Sequence, residues 1–179
     1  MKKFLSAIMA MAMAFSCITV AFAAEVTVPD GVTAAELSTT EAVEVSVGSA
    51  AYSGTKKSAG YNYTGDNRVD VSGSAFSYAS YNGSIYVDAP QAGEYKVAFT
   101  TIDNFNDSTR NMTVTVNDDA DTAVTTIAAN GWQTWMATEV ILVLDEGVNK
   151  VTVSGNGNTK WYKAAFTKAI SIACEACGH

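Results

Sequence analysis

Histidine is almost absent from this chain: the single one, His179, is the last of 179 residues. Histidine-based nucleophilic catalysis therefore has no support. Cysteine is scarce as well. Cys17 falls in an apolar leader, which leaves Cys174 and Cys177 in the terminal "CEACGH". Two cysteines make no disulfide scaffold, so the fold has to stand on its own core, and about 150 residues beyond the leader can bury enough apolar surface for one. Basic residues are also few, 11 against 18 acidic ones, for a net charge of −7. Without Lys2 and Lys3 of the leader the balance is nine against 18, a net charge of −9. Nucleic acid and anionic membrane carry the same sign and are not expected as partners. Only Pro29 and Pro90 are prolines, both at or beyond the ends of strand-like runs, where proline breaks no ladder hydrogen bond.

What is present begins with "MKKFLSAIMAMAMAFSCITVAFAAE". A basic start, an apolar run and Ala-Phe-Ala at residues 21–23 form the pattern of a bacterial-type secretory signal peptide, residues 1–24, cut after Ala23 or Ala24. A membrane anchor needs about 20 apolar residues and no cleavage site, and Phe15-Ser16-Cys17 is a poor lipidation box. The expected location is extracellular, with no membrane contact after cleavage. Residues 25–40 read as a linker or first edge strand, 41–168 as one domain, and 169–179 as a tail.

From Ala42 the apolar pattern has period two. Val43, Val45 and Val47 alternate with polar residues, as do Ile85 and Val87, Tyr95, Val97 and Phe99, Met112, Val114 and Val116, and Val151 and Val153. Each run is a short half-buried strand. The gaps carry turn chemistry: "TGDN", "SYNGS", "PQAG", "NDDADT", "DEG", "SGNGN". No helical periodicity appears outside the leader. Regularly spaced short strands predict an all-β sandwich or barrel.

Four pieces in order then carry a resemblance. They are Ala92-Gly93-x-Tyr95, Arg110 leading into "MTVTVN", the pair Trp132-x-x-Trp135, and Glu146-Gly147-x-Asn149. Over residues 41–168 the chain resembles the family 6 and family 35 carbohydrate-binding modules. The resemblance implies a jelly-roll β-sandwich of two antiparallel sheets, galactose-binding-like, that is not an enzyme and binds a poly- or oligosaccharide. Such modules are commonly joined to polysaccharide-degrading enzymes, so an enzyme or cell-surface partner is implied. The family's structural calcium ion implies Glu41 and Glu44 as metal ligands, although Lys160, Tyr162 and Lys163 stand where a late acid is expected. Calcium takes six to eight hard oxygen ligands.

A sugar ring has one apolar face and a rim of hydroxyls, so a site needs an aromatic platform and a few planar polar groups. Trp132, in the turn "NGWQTW", is the expected platform, and Trp135 the expected core residue. Arg110 bonds hydroxyls or a uronate, or else pairs with Asp103 or Asp107 on the surface. One of Tyr61 and Tyr63 faces the ligand, or packs in the sandwich. Asn156 and Asn158 both donate and accept, or only form a turn. Trp161 is either a second platform or a plug at the end of the sandwich. "NDDADT" lacks calcium-loop spacing and reads as a solvated hairpin turn. Cys174, Cys177 and His179 fall short of a four-ligand zinc site. Paired carboxylates hydrolyse glycosides, but no acid here sits in an apolar context that would make it a proton donor. The competing reading is a structural or protein-binding cell-surface β-sandwich with no sugar site.

Overall fold

The computed structural model describes residues 25–59, 62–64, 67–69, 76–80, 82–102, 111–127, 135–155 and 160–169. Among these every regular element is a strand. In chain order they are β1 (Ala35–Glu36), β2 (Val43–Ser46), β3 (Tyr52–Gly54), β4 (Lys57–Ala59), β5 (Asn62–Thr64), β6 (Asn67–Val69) and β7 (Phe76–Ser80). The longer ones follow: β8 (Gly83–Ala89), β9 (Gly93–Ile102), β10 (Asn111–Val116), β11 (Asp119–Ile127), β12 (Met136–Leu144), β13 (Gly147–Gly155) and β14 (Lys160–Lys168).

Two six-stranded sheets face each other. One runs β1-β8-β13-β10-β11 with β3 also on β8; the other runs β12-β9-β14-β7-β4 with β2 also on β14. From β8 onward the chain crosses repeatedly between sheets, as in a jelly roll. All pairings are antiparallel except β1 on β8, a parallel contact of two residues, so the expected two antiparallel sheets carry one parallel edge.

The alternation read in the sequence is the alternation that fills the core. Val45, Val47, Tyr95, Val97, Phe99, Met112, Val114, Val116, Val151 and Val153 are all buried. Successive side chains of a strand point to opposite faces, so one period-two set closes the space between the sheets. β8 departs from this by burying almost every residue. The Tyr86 side chain, on its outer face, is buried and lines a cavity together with Glu25, Val26, Thr27 and Lys150.

Three of the four resemblance pieces have atoms in view at the end of the sandwich where β8 stops and β9 starts. Tyr95 Oη donates to Gln91 O at 2.9 Å from a fully buried ring. Gly93 has φ +123°, a conformation open to glycine. Asn149, fully buried, donates to Asp145 O and Gly147 O and accepts from the Asp145 and Asn117 N–H groups. These residues shape turns. The "NDDADT" stretch closes the β10–β11 hairpin through Asn117 and Asp118, both at positive φ, the geometry a two-residue hairpin turn needs.

Candidate functional site at the loop end

Register places the other end of the sandwich. Met136 at the start of β12 is opposite Thr101 near the end of β9. Asn111, opening β10, is opposite Ile127, closing β11, and Met112 is opposite Gly155, closing β13. Lys160, opening β14, is opposite Ile102. Residues 103–110, 128–134 and 156–159 therefore each join a strand that finishes at one end to a strand that starts there. The four-residue link 156–159 spans at most roughly 18 Å and a nine-residue strand about 30 Å, so the link cannot run the length of the sandwich. Gly54, closing β3, is opposite Gly83, opening β8, at this same end.

Arg110, Trp132, Asn156 and Asn158 belong to those three stretches, whereas Tyr61 follows β4, whose last residue, Ala59, is opposite Phe76 at the start of β7; all five lie outside the described residues. Tyr63 is on β5, opposite Arg68 of β6. The strand ends thus bring the flanks of three separate stretches of sequence to one pole.

The described rim of that pole is aromatic and basic. Trp135, just ahead of β12, meets Tyr162 edge to face, ring centroids 4.8 Å apart at 79°. Trp135 is half-buried, which corrects its expected place in the core. It precedes the first paired residue of β12, so the strand's alternation does not turn it inward. Tyr162 was not singled out as a site residue. A register shift in β14 between Trp161 and Lys163 lets Trp161 and Ala164 both face the core, which leaves Tyr162 and Lys163 together outside it. The signal was in the sequence: "TKWYKAAF" breaks period two at Trp161-Tyr162, and a broken alternation is what a bulge produces. Lys160 Nζ lies 5.7 Å from the Tyr78 ring centre, close enough for a cation–π attraction.

Trp161 takes the second of its two expected roles. It is 1% exposed and wedged edge-on against Tyr52 at 5.7 Å and Phe99 at 5.8 Å. Its ring is therefore a plug beneath the loop end and no platform for a ligand. Its indole N–H is buried without a hydrogen-bond acceptor.

Glu41 and Glu44 do not fit a calcium ion. Glu41 is exposed, ahead of β2, with its backbone N–H on Ser38 Oγ at 3.1 Å. Both Glu44 oxygens accept from Lys163 Nζ, at 2.8 and 2.9 Å. That hydrogen bond raises the Lys163 pKa against the opposing effect of burial, so the lysine's own charge occupies the carboxylate. Among the described residues no three acidic, histidine or cysteine side chains gather as a metal would require.

No protein-family model matches the chain, and no curated protein matches it. Among solved structures it is similar to Xyl-CBM35 in complex with a glucuronic-acid-containing disaccharide, at 17% identity over 72% of this chain and 94% of that one, with a TM-score of 0.54. It is similar to a family 35 carbohydrate-binding module from Clostridium thermocellum, at 18% identity over 70% and 98% of the two chains, with a TM-score of 0.53. It is also similar to an isomaltodextranase from Arthrobacter globiformis complexed with panose, at 20% identity and a TM-score of 0.50 over 70% of this chain. The chain spans 23% of that enzyme's length. The fold is therefore the β-sandwich seen in family 35 carbohydrate-binding modules, one of the two families the sequence resemblance named.

Proposed function

We propose that this chain is an exported, non-catalytic carbohydrate-binding domain that holds an oligo- or polysaccharide at the loop end of its sandwich. What supports the reading is the convergence on one pole of the strand ends that flank Arg110, Trp132 and Asn156, around the Trp135–Tyr162 and Lys160–Tyr78 rim. A ring platform among planar hydrogen-bonding groups recognises a pyranose. Two of the similar structures described above hold sugars, panose and a glucuronic-acid-containing disaccharide. Stacking with a few hydrogen bonds gives roughly micromolar to millimolar dissociation constants. The domain serves alone or beside a polysaccharide-degrading enzyme or a cell-surface partner.

Tryptophan emission tests this. Titration with xylan, galactan, pectin and mannan oligosaccharides should shift the spectrum for at least one of them. Trp161, sealed in the core, supplies a constant background. Trp132→Ala should abolish the response and leave the unfolding midpoint unchanged. Silence towards every glycan, with Trp132→Ala lowering stability alone, would overturn the proposal in favour of a structural sandwich.

A further inference from the structure

Lys163 of β14 and Glu44 of β2 reach each other along the outer face of their sheet. Lys163 is directly opposite Ser46, and Glu44 is opposite Ala165, so the two meet diagonally across the ladder, within reach of a long side chain. Lys163 Nζ donates to both Glu44 oxygens, at 2.8 and 2.9 Å. The same ammonium lies 5.7 Å from the centre of the Tyr162 ring, within cation–π range, and that ring meets Trp135 at 4.8 Å. Contacts therefore run from Glu44 through Lys163 and Tyr162 to Trp135 at the loop pole. The bulge makes this possible. Neighbours in a regular strand point to opposite faces, whereas the shift between Trp161 and Lys163 leaves Tyr162 and Lys163 together outside the core. The Val47 N–H holds the bulge itself, donating to Tyr162 O at 2.8 Å.

A structural cation between these strands would join carboxylates contributed by each. Here β2 contributes the carboxylate and β14 the positive charge, which already holds both oxygens of Glu44. A divalent ion arriving at Glu44 would meet that ammonium at close range, where like charges repel. We propose that Lys163 is a positioning residue for the sugar rim: its ammonium takes the part of a metal ion between β2 and β14, and through the Tyr162 ring it sets the Trp135–Tyr162 pair at the loop pole. This rests on the sugar-binding role proposed above. The Lys163 and Glu44 side chains are 28% and 59% exposed, and an ion pair that open to water adds little to global stability. Its contribution is orientation. Because the charge belongs to the chain, rim geometry and glycan affinity do not depend on calcium at this place.

Near-ultraviolet circular dichroism reads the packing of the Trp135–Tyr162 pair with no sugar present, and Trp135→Phe identifies its band. Lys163→Met keeps the length of the side chain and removes its charge. It should weaken that band and raise the dissociation constant for the oligosaccharide that shifts tryptophan emission by about three- to tenfold, the scale of one ordered contact. The urea midpoint should stay within about 0.5 M of the parent, which separates positioning from a general loss of stability. Lys163→Arg keeps the charge and pairs with a carboxylate through its planar fork, so it should recover both band and affinity. Lys96→Met, which breaks the Lys96–Glu139 pair on the same sheet, should change neither. Calcium at about 5 mM, above the range of extracellular sites, or EDTA in its place, should leave the parent unaltered. A parental spectrum in Lys163→Met, or a parent whose rim band is lost in EDTA, would overturn the proposal. An altered spectrum with parental affinity would overturn the part of Lys163 in the sugar site. The spectra contain no sugar, so they decide the positioning role separately from any failure of glycan binding.

Discussion

Asn149 is the residue whose loss should be felt most for its size. It is fully buried and its amide is saturated. Nδ2 donates to Asp145 O at 2.8 Å and Gly147 O at 2.9 Å, and Oδ1 accepts from Asp145 N at 3.0 Å and Asn117 Nδ2 at 3.2 Å. Asn117 in turn accepts from Lys150 N and donates its own N–H to Lys150 O, both at 2.8 Å. One amide therefore ties the β12–β13 turn to the β10–β11 hairpin. At about 1 kcal/mol net per hydrogen bond, Asn149→Ala removes about 4 kcal/mol. Asp145 and Glu146 are exposed, so water recovers part of this, and the expected loss is about 2–4 kcal/mol. Asn149→Asp keeps the acceptor but turns a donor towards two carbonyls into a third oxygen carrying buried charge, and should cost at least as much. Urea unfolding followed by far-ultraviolet circular dichroism measures this. With a slope of about 2 kcal/mol per molar, the midpoint should fall by about 1–2 M at unchanged slope. A fall of less than about 0.5 M for Asn149→Ala, or an Asp variant as stable as the parent, would refute the reasoning. Glycan titrations of the folded variant should be unaltered, because the turn is at the pole opposite the loops.

Two further outcomes are expected. A Cβ at Gly83 would sit 2.6 Å from Tyr52 Cε2 and 2.8 Å from Cζ, so Gly83→Ala should cost about 1–3 kcal/mol through overpacking; a chemical-denaturation curve matching the parent would contradict this. In alkali the protein should weaken. Burial raises the pKa of Tyr52, burial outweighing the Gln91 hydrogen bond raises that of Tyr95, and the Glu44 hydrogen bond raises that of Lys163. Each group holds its proton more tightly folded than unfolded, so its contribution is complete below its unfolded pKa, about 10, and is lost as pH rises through the folded value. Thermal midpoints should be flat from about pH 8 to 9.5 and fall above about pH 10; a flat profile to about pH 11.5 would remove this linkage.

The runs that were legible as strands were those with one buried face. In "EYKVAFTT" and "NMTVTVN" every second residue meets the core, and a period of two survives any details of packing. β12 was legible only as an apolar stretch, because Ile141 and Val143 put hydrophobic side chains on its solvent face as well. β11 hid for the opposite reason: it is a polar edge strand, with Thr125 and Asp121 exposed and Val124 only half-buried. The resemblance pieces were recognisable, but what Tyr95 and Asn149 do was not. Their partners, Gln91, Asp145 and Asn117, are backbone and turn atoms whose positions no alternation specifies.

The chain by itself determined the class of architecture, since alternation and turn residues leave a β-sandwich or barrel as the only way to bury one face of every strand. It also marked the turn-rich stretches between strands, and hence where Arg110, Trp132 and Asn156 stand in the order of elements. Only the tertiary structure decided that the strand ends flanking Arg110, Trp132 and Asn156 share one pole, that Trp161 plugs the core while Trp135 reaches the rim, and that Lys163 fills the place a cation was expected to take. Each of these depends on register between strands far apart in sequence, and a shift of one residue reverses which face a side chain occupies.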